Sequence, residues 1–175
     1  MKKFLVAVDL QKDFIDGALG TPEAVAIVSR AAEKIASFDG EIFATLDTHG
    51  EDYLDTAEGK KLPVPHCLEG TPGHALDPAV AAALEKHGYT PVIKHTFGAV
   101  KLPGLLWEAA RGEPFSVKFI GLCTDICVVS NVLLVKAHFP ETAISVDARC
   151  CAGVTPALHE AALLTMKSCQ IDVEE

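Results

Sequence analysis

Short apolar runs alternate with longer segments of helical periodicity along the whole chain. The apolar runs predict strands at Phe4–Val8, Ile42–Leu46, Thr90–Ile93, Val117–Leu122 and Ala143–Val146, with a short last one near Gln170–Val173. The helical periodicity predicts helices at Glu23–Phe38, Pro78–Lys86, Leu102–Ala110, Asp125–Ala137 and Pro156–Lys167. This alternation is typical of a doubly wound, three-layer α/β/α fold with a mostly parallel sheet. At 175 residues the chain is expected to form one domain.

Chemically active side chains follow nearly every predicted strand. In an open parallel sheet the carboxyl ends of the strands meet at one edge, and ligands bind there. Residues that are far apart in the sequence are therefore expected to converge. These residues are Asp9 after the first strand, Asp47 and His49 after the second, Lys94 after the third, Thr124 and Cys127 after the fourth, and Asp147 after the fifth.

Cys127 has the position of a catalytic nucleophile in this pattern. It follows a buried strand, and Thr124 and Asp125 before it have the chemistry of helix N-caps. Cys127 is therefore predicted to lie in the first turn of a helix, where the positive end of the dipole lowers a thiol pKa. We expect a thiolate near neutral pH. An inert, small apolar cysteine is the alternative.

Asp9 and Lys94 are suited to support this nucleophile. As a general base, Asp9 would take a proton from Cys127 and later deliver it to a leaving amine. Lys94 ends a strand that should be buried, so its charge requires a carboxylate partner. Its ammonium would hold Asp9 ionised and stabilise the thiolate. The alternatives are a loop or capping role for Asp9 and an extended, solvent-reaching Lys94 at the sheet edge.

The segments that carry these residues resemble those of the isochorismatase-like cysteine hydrolases, and among them the nicotinamidases. The resemblance rests on Val8-Asp-Leu-Gln-Lys-Asp-Phe14, on Lys94 and on Gly121-Leu-Cys-Thr-Asp-Ile-Cys-Val128, which match the family in order and spacing. It covers essentially the whole chain and implies a six-stranded parallel sheet between helices. It also implies that Asp9, Lys94 and Cys127 form a catalytic triad.

The same resemblance has consequences for the backbone around the nucleophile. It implies a cis peptide bond before Cys123. It further implies an oxyanion hole formed by the backbone N–H groups of Cys123 and Cys127, since such donors stabilise the negative oxygen that develops in acyl transfer.

The long irregular segment that begins at Asp47 is expected to carry function, because simple connectors are shorter. Asp47 and His49 are two apart on an extended stretch, so both side chains can reach one ion. His66 returns from the loop, and Glu58 can supply a fourth ligand. Polar loop residues without a metal are the alternative. The resemblance implies Asp47, His49 and His66 as ligands, with Glu58 in the variant that uses a glutamate.

This donor set suits one divalent cation, Zn²⁺ first, with Fe²⁺ or Mn²⁺ as alternatives. Such an ion can hold the ring nitrogen of a pyridine and so fix a carboxamide over Cys127. Phe14 and Phe97 are expected to pack against the ring, with core packing as the alternative, and Leu19 is a weaker candidate. Family members often place a tryptophan near the site, whereas Trp107 lies in a helical pattern.

The predicted function is that of a nicotinamidase, a metal-dependent cysteine amidohydrolase. It would convert nicotinamide and water to nicotinate and ammonia through a thioester on Cys127. One alternative is a metal-independent hydrolase of the same fold that acts on another small amide or an N-carbamoyl compound. A second alternative, from a different class, is a non-catalytic module that binds a metal or a ligand. For both hydrolases, the expected partner is a small-molecule amide that serves as the substrate.

Composition narrows the range of partners. A net charge of −9 without a cluster of Lys or Arg argues against nucleic acid and anionic membrane surfaces. The apolar run after Met1 ends at Asp9, which is too short for a signal peptide, and no run is long enough to span a membrane. A cytoplasmic protein is therefore expected. The hydrophobic fraction of 49% favours a homo-oligomer.

The remaining cysteines and histidines are interpreted as structural. Without a secretion signal, a disulfide framework is not expected from the six cysteines. Small buried positions are assigned to Cys150, Cys151 and Cys169. Cys67 is left out of the metal site. Structural or surface positions are assigned to His95, His138 and His159.

Overall fold

The computed structural model describes all residues from 1 to 175 and contains one six-stranded sheet in which every strand pair is parallel. The strands are β1 (Lys2–Val8), β2 (Glu41–Asp47), β3 (Thr90–Lys94), β4 (Phe115–Leu122), β5 (Ala143–Ala152) and β6 (Asp172–Glu174). Their order across the sheet is β3-β2-β1-β4-β5-β6. The direction of winding therefore reverses between β1 and β4, which is where such sheets bind ligands.

Helices cover both faces of the sheet. They are α1 (Lys12–Ile15), α2 (Pro22–Ser37), α3 (Ala57–Lys61), α4 (Pro78–His87), α5 (Leu102–Ala110), α6 (Val129–His138) and α7 (Pro156–Ser168). One apolar core joins α1, α2 and α4 to the sheet, and a second joins α5, α6 and α7 to the opposite face. The predicted three-layer, doubly wound fold is confirmed.

Three of the helices begin at the same local signal. Thr21, Asp77 and Thr155 precede α2, α4 and α7, and a proline follows each of them as the first helical residue. Their side-chain oxygens accept hydrogen bonds from backbone N–H groups of the first turn at 3.0, 2.8 and 3.2 Å. These caps satisfy donors that have no partner within the helix, and so they fix where each helix starts.

The two central strands approach each other most closely at their carboxyl ends. Gly121 in β4 has a φ of +120°, and a Cβ atom at this position would lie 2.1 Å from the carbonyl oxygen of Val8 in β1. Only glycine is compatible with this backbone and this contact. The close approach sets the spacing between the segments that follow β1 and β4, and these segments carry Asp9 and Cys127.

The length of β5 overturns the prediction that Asp147 joins the site. The strand extends to Ala152, well beyond the predicted end at Val146, so Asp147 lies within the strand and does not join the site. The Asp147 carboxylate is fully buried and forms ion pairs with Lys34 of α2 at 2.7 Å and with Arg149 at 3.0 Å. A partner from a distant helix, which strand patterning does not reveal, satisfies this charge.

Other boundaries also differ from the predictions. The long loop contains α3 and two short 3₁₀ turns, α1 was not predicted, and β6 starts two residues later than expected. Cys150 and Cys151 are buried as predicted, but Cys169 is exposed because it lies at the end of α7, where the chain turns. All six cysteines are free thiols. None of the helices combines the length and apolar character needed to cross a membrane.

The buried Asp147 predicts a pH-dependent contribution to stability. Burial raises the pKa of Asp147, but hydrogen bonds from Arg149 and Lys34 outweigh it and hold the pKa below its ordinary value. The carboxylate therefore stabilises the fold above the unfolded pKa of about 3.9, and this stabilisation is lost as the pH falls through the lower folded value. Asp147→Asn should lower the free energy of unfolding at pH 7 by about 1–3 kcal/mol. Denaturant titrations should show this difference shrinking below about pH 4; a difference that is constant with pH would contradict it.

Candidate active site

A cavity of about 730 Å³ opens at the carboxyl edge of the sheet and brings together most of the predicted site residues. Its floor contains buried polar side chains, whereas its mouth is lined by partly exposed apolar ones. The cavity lies next to the point where the winding of the sheet reverses, as expected for this fold class. The predicted residues that line it are Phe14, Leu19, Asp47, His49, Glu58, His66, Phe97, Cys123 and Cys127.

Asp9 lies below this floor in a constrained backbone position. It follows β1 directly with a φ of +47°, a left-handed conformation that aspartate tolerates better than most residues. Its backbone N–H donates to the Thr45 carbonyl at 3.2 Å, and its Oδ1 accepts a 2.5 Å hydrogen bond from the Thr45 hydroxyl. Asp9 is fully buried. Thr45 of β2 thus holds the carboxylate in place, although nothing in the sequence pattern distinguished this threonine.

Lys94 connects the predicted triad to the predicted metal ligands. Its Nζ lies 2.8 Å from Oδ2 of Asp9 and 2.8 Å from Oδ1 of Asp47, and it donates to the Cys127 Sγ at 3.5 Å. Lys94 itself is only 3% exposed. The expected carboxylate partner is therefore present, and there are two. An extended lysine at the sheet edge is ruled out.

Burial dominates the acid–base properties of this cluster. Burial, together with the charge and hydrogen bond of Asp9, raises the pKa of Cys127 well above its ordinary value. Burial also raises the pKa of Asp9 and outweighs the opposing charge of Lys94. For Lys94, burial lowers the pKa, but the surrounding carboxylates and thiol raise it by more. The expectation of a lowered thiol pKa is wrong, because burial and Asp9 raise the pKa of Cys127, and the carboxylate of Asp9 lies beside the thiol.

The backbone around Cys127 also departs from a regular helix start. Residues Thr124–Val128 form a wide π-helical turn, and α6 begins only after it. The N–H groups of Ile126 and Val128 both donate to the Cys123 carbonyl, at 3.0 and 3.1 Å. The peptide bond between Leu122 and Cys123 is cis, as the family resemblance implied. The Cys123 N–H has no acceptor within the protein.

Four side chains converge as a candidate metal centre. Nε2 of His49 lies 2.9 Å from Oδ2 of Asp47 and 3.9 Å from Oε1 of Glu58, while Nε2 of His66 lies 3.6 Å from each of these oxygens. Four ligands about 2.0–2.2 Å from a tetrahedral ion are roughly 3.3–3.6 Å apart. The observed separations bracket that range. The ligand atoms of Asp47, His49 and His66 all lie within 4.8 Å of one another, so these three side chains fit one divalent cation, and Glu58 lies close to both imidazoles.

The surroundings of the histidines also fit a metal. Nδ1 of His66 lies 2.9 Å from the Val64 carbonyl, which favours the tautomer that leaves the Nε2 lone pair free for an ion. Tyr53 packs edge-on against both imidazoles and its hydroxyl donates to the Leu62 carbonyl at 2.9 Å. The hydrogen bond to Asp47 is the main reason why the pKa of His49 is raised. An ion would take the place of that shared proton.

Comparison with known proteins identifies the family. A model of the isochorismatase domain matches residues 3–175. The chain belongs to the isochorismatase family. Several proteins similar to this chain carry nicotinamidase or pyrazinamidase names. The nicotinamidase/pyrazinamidase of Mycobacterium tuberculosis is 28% identical over 182 residues, which cover 97% of this chain and 96% of that protein.

Two solved structures extend this likeness to three dimensions. The nicotinamidase of Bacillus subtilis matches with a TM-score of 0.85 and 28% identity over the full length of both chains. The pyrazinamidase of Pyrococcus horikoshii, solved in complex with zinc, shares the fold with a TM-score of 0.78 and 24% identity, over 100% of this chain and 99% of that one. The predicted family is confirmed, and the chain is a nicotinamidase-like hydrolase.

The cavity of this isochorismatase-family chain also contains residues that the sequence patterns did not single out. His95, expected to be structural or exposed, lines the cavity next to Phe97, and its Nδ1 lies 2.8 Å from the Thr48 carbonyl. The position of His95 directly after Lys94 was the sequence feature that could have identified it as a cavity residue. Trp107 is 60% exposed, stacks on Phe139 and does not line the cavity. The tryptophan found near the site in other family members thus has no counterpart here.

Further support for the candidate metal centre comes from residues outside the cavity. The buried side chain of Gln11 donates to the Asp47 carbonyl at 2.9 Å and accepts from the Asp47 N–H at 2.8 Å. Asp13 accepts a 2.8 Å hydrogen bond from the N–H of Cys67, the residue after His66. Cys67 itself packs into the apolar core and not toward the ligands. The segment 9–13 therefore anchors both ends of the loop that carries the ligands.

Because Lys94 is the cation between two buried carboxylates, its removal is expected to lower the stability of the protein strongly. Lys94→Met leaves Asp9 and Asp47 facing each other without a buried cation. In the presence of a chelator at pH 7, this should lower the free energy of unfolding by about 3–5 kcal/mol.

A matched control is Lys34→Met, which removes a partly exposed lysine from Asp147 but leaves Arg149 in place. We expect that change to cost about 1 kcal/mol. Denaturant unfolding of both variants makes the comparison, and equal losses would contradict the role assigned to Lys94.

Proposed function

We propose that this chain is a metal-assisted cysteine amidohydrolase that converts nicotinamide and water to nicotinate and ammonia. One observation carries the proposal: a buried thiol with an adjacent carboxylate shares a cavity with two imidazoles and two further carboxylates, and Lys94 contacts both groups. The nicotinamidase names of the relatives support this substrate. A nucleophile alone would fit many small amides, whereas the second cluster fits an amide that also carries a ring nitrogen.

The proposed reaction begins with the neutral thiol. Asp9 accepts the proton of Cys127 as Sγ attacks the carboxamide carbon, and the carbonyl electrons move to oxygen. When the tetrahedral species collapses, the C–N bond breaks and Asp9 donates the proton to the departing ammonia. A water molecule, deprotonated by Asp9, then attacks the thioester and releases nicotinate and the Cys127 thiolate, which recovers the proton. The raised pKa of Asp9 suits a group that must hold a proton between these steps.

The negative oxygen of the tetrahedral species requires donors. We assign this role to the backbone N–H groups of Cys123 and Cys127. The support is that the Cys123 N–H has no acceptor within the protein and that both residues line the cavity. The ammonium of Lys94, 3.5 Å from Sγ, stabilises negative charge on the sulfur during attack.

The side chains of Asp47, His49, His66 and Glu58 would hold one divalent cation, and Zn²⁺ suits this mixture of nitrogen and oxygen donors best. When bound, the ion supplies a Lewis-acid contact for the pyridine nitrogen. Phe14 and Phe97 flank the same cavity and offer apolar surface to the ring. The substrate is thereby held with its carboxamide over Cys127, which is the orientation that the reaction needs.

The alternatives make different use of these residues. A metal-independent hydrolase of another small amide or of an N-carbamoyl compound needs Asp9, Lys94 and Cys127 but no ligand cluster. Four converging ligands with a suitably oriented His66 therefore favour the metal-assisted reaction. A non-catalytic binding module has no need for a buried thiol with a base beside it. A cytoplasmic location and a homo-oligomeric state stay predictions from the sequence.

Removal of the nucleophile tests the reaction. Cys127→Ala should lower the rate of ammonia release from nicotinamide by about 10³-fold or more, because no other group can form the thioester. The thermal unfolding midpoint should change by only a few degrees. The exposed Cys169 is the matched control, and Cys169→Ser should leave the rate unchanged. Ammonia release by Cys127→Ala at a comparable rate would contradict the mechanism.

Removal of the metal tests the second half of the proposal. Purified protein should contain about one equivalent of zinc or iron by elemental analysis, and His66→Ala should bind it much more weakly. Chelation should reduce ammonia release or raise KM for nicotinamide, and added Zn²⁺ should restore both. Full activity in demonstrably metal-free protein would favour the metal-independent alternative.

A further inference from the structure

The side-chain amide of Asn131 joins the nucleophile turn to the loop that carries Phe97. Its Nδ2 donates to the carbonyl of Cys127 at 2.8 Å and to the carbonyl of Phe97 at 3.2 Å, and its Oδ1 accepts from the N–H of Ala99 at 2.8 Å. Asn131 and Ala99 are 0% and 1% exposed. One buried side chain thus bridges two segments that are about thirty residues apart in the sequence and both contribute residues to the same cavity.

The position is unusual for an asparagine. Asn131 lies in α6, where asparagine is a weaker helix former than most residues, and the buried positions Val132 and Val135 on the same helix are apolar. A packing role alone would favour another aliphatic side chain. Instead, both N–H donors and the oxygen of the amide are used, and all three partners are backbone groups. Such a fully satisfied buried amide fixes the relative position of the segments it joins.

The two segments that it joins have different tasks in the proposed reaction. The turn at Cys127 carries the nucleophile, whereas Phe97, which is 47% exposed, forms part of the wall against which the ring would pack. The other hydrogen bonds of the loop at 96–99 run to neighbours in the sequence: the Thr96 hydroxyl donates to the Gly98 carbonyl, and the Ala99 carbonyl accepts from the N–H of Leu102 at the start of α5. The distance between wall and nucleophile therefore depends on the Asn131 amide.

We infer that Asn131 is a positioning residue that holds the Phe97 wall at a fixed distance from Cys127 and so determines how tightly the site binds its substrate. This inference rests on the proposed function. Asn131 does not line the cavity, and it acts through hydrogen bonds to the backbone of Phe97, Ala99 and Cys127. Loss of its amide should impair binding of the ring more than the chemistry at the carboxamide.

Two substitutions test this role. Asn131→Asp keeps the shape and the hydrogen bond from Ala99 but cannot donate to the carbonyls of Phe97 and Cys127, whereas Asn131→Ala removes all three bonds. Both should raise KM for nicotinamide, by about tenfold for Asn131→Ala, while kcat falls by less than about threefold. The matched control is Ser130→Ala, which removes the 2.6 Å hydrogen bond from the Ser130 hydroxyl to the Ile126 carbonyl, while this hydroxyl makes no hydrogen bond to the loop. Its KM should stay within about twofold of the unaltered protein.

Amide hydrogen exchange tests the positioning without reference to activity. The Ala99 N–H should exchange faster in Asn131→Ala than in the unaltered protein and stay protected in Asn131→Asp and Ser130→Ala. An unchanged KM in both Asn131 variants, an equal rise in Ser130→Ala, or unchanged Ala99 exchange in Asn131→Ala would overturn the inference. If the unaltered protein releases no ammonia from nicotinamide, the proposed function fails, and the exchange rates alone decide the role of Asn131.

Discussion

The buried ammonium of Lys94 is the interaction on which the rest of this site depends. It lies 2.8 Å from a carboxylate oxygen of Asp9 and 2.8 Å from one of Asp47, and all three residues are less than 5% exposed. Two carboxylates at this depth would repel each other and would lose their charge without a cation between them. The strand order brings the three ends side by side, because β2 lies between β3 and β1 and pairs Asp47 directly with Lys94.

Lys94 also makes two kinds of chemistry depend on each other. Asp47 presents one oxygen to Lys94 and the other to His49 and His66, while Asp9 shares Lys94 with the Cys127 thiol. The acid–base pair and the candidate metal centre therefore meet at one ammonium. This arrangement makes a buried thiol with a raised pKa compatible with the proposed reaction. In that reaction, Asp9 accepts the thiol proton, and the ammonium of Lys94 stabilises the negative charge that develops on the sulfur.

The sequence predicted most of the features that follow from local pattern and from family resemblance. Strand ends could be recognised, so Asp9, Lys94 and Cys127 could be named before their distances were known. Interactions between residues from different layers of the fold could not be predicted in this way. The partner of Asp147 comes from another layer, and the burial that raises the pKa of Cys127 is a property of the assembled core. A helix-dipole argument considers the segment alone and gives the opposite direction for that pKa.

The supporting residues were the least predictable part of the site. Thr45, Gln11 and Asn131 act through hydrogen bonds to backbone atoms of distant segments, and such bonds leave no periodic trace in a sequence. Asn131 was hidden inside a regular helical pattern. His95 did follow a strand end, and it was set aside only because no paired ligand lay near it in the sequence.

The central claim is that Cys127 carries the acyl group during turnover, and interception of that group tests it most directly. Hydroxylamine added during hydrolysis of nicotinamide should compete with water for the thioester and yield the pyridine hydroxamic acid. The hydroxamate should form with the unaltered protein and be absent with Cys127→Ala. Turnover to nicotinate without any hydroxamate at high hydroxylamine concentration, or equal hydroxamate formation by Cys127→Ala, would contradict a thioester at this residue.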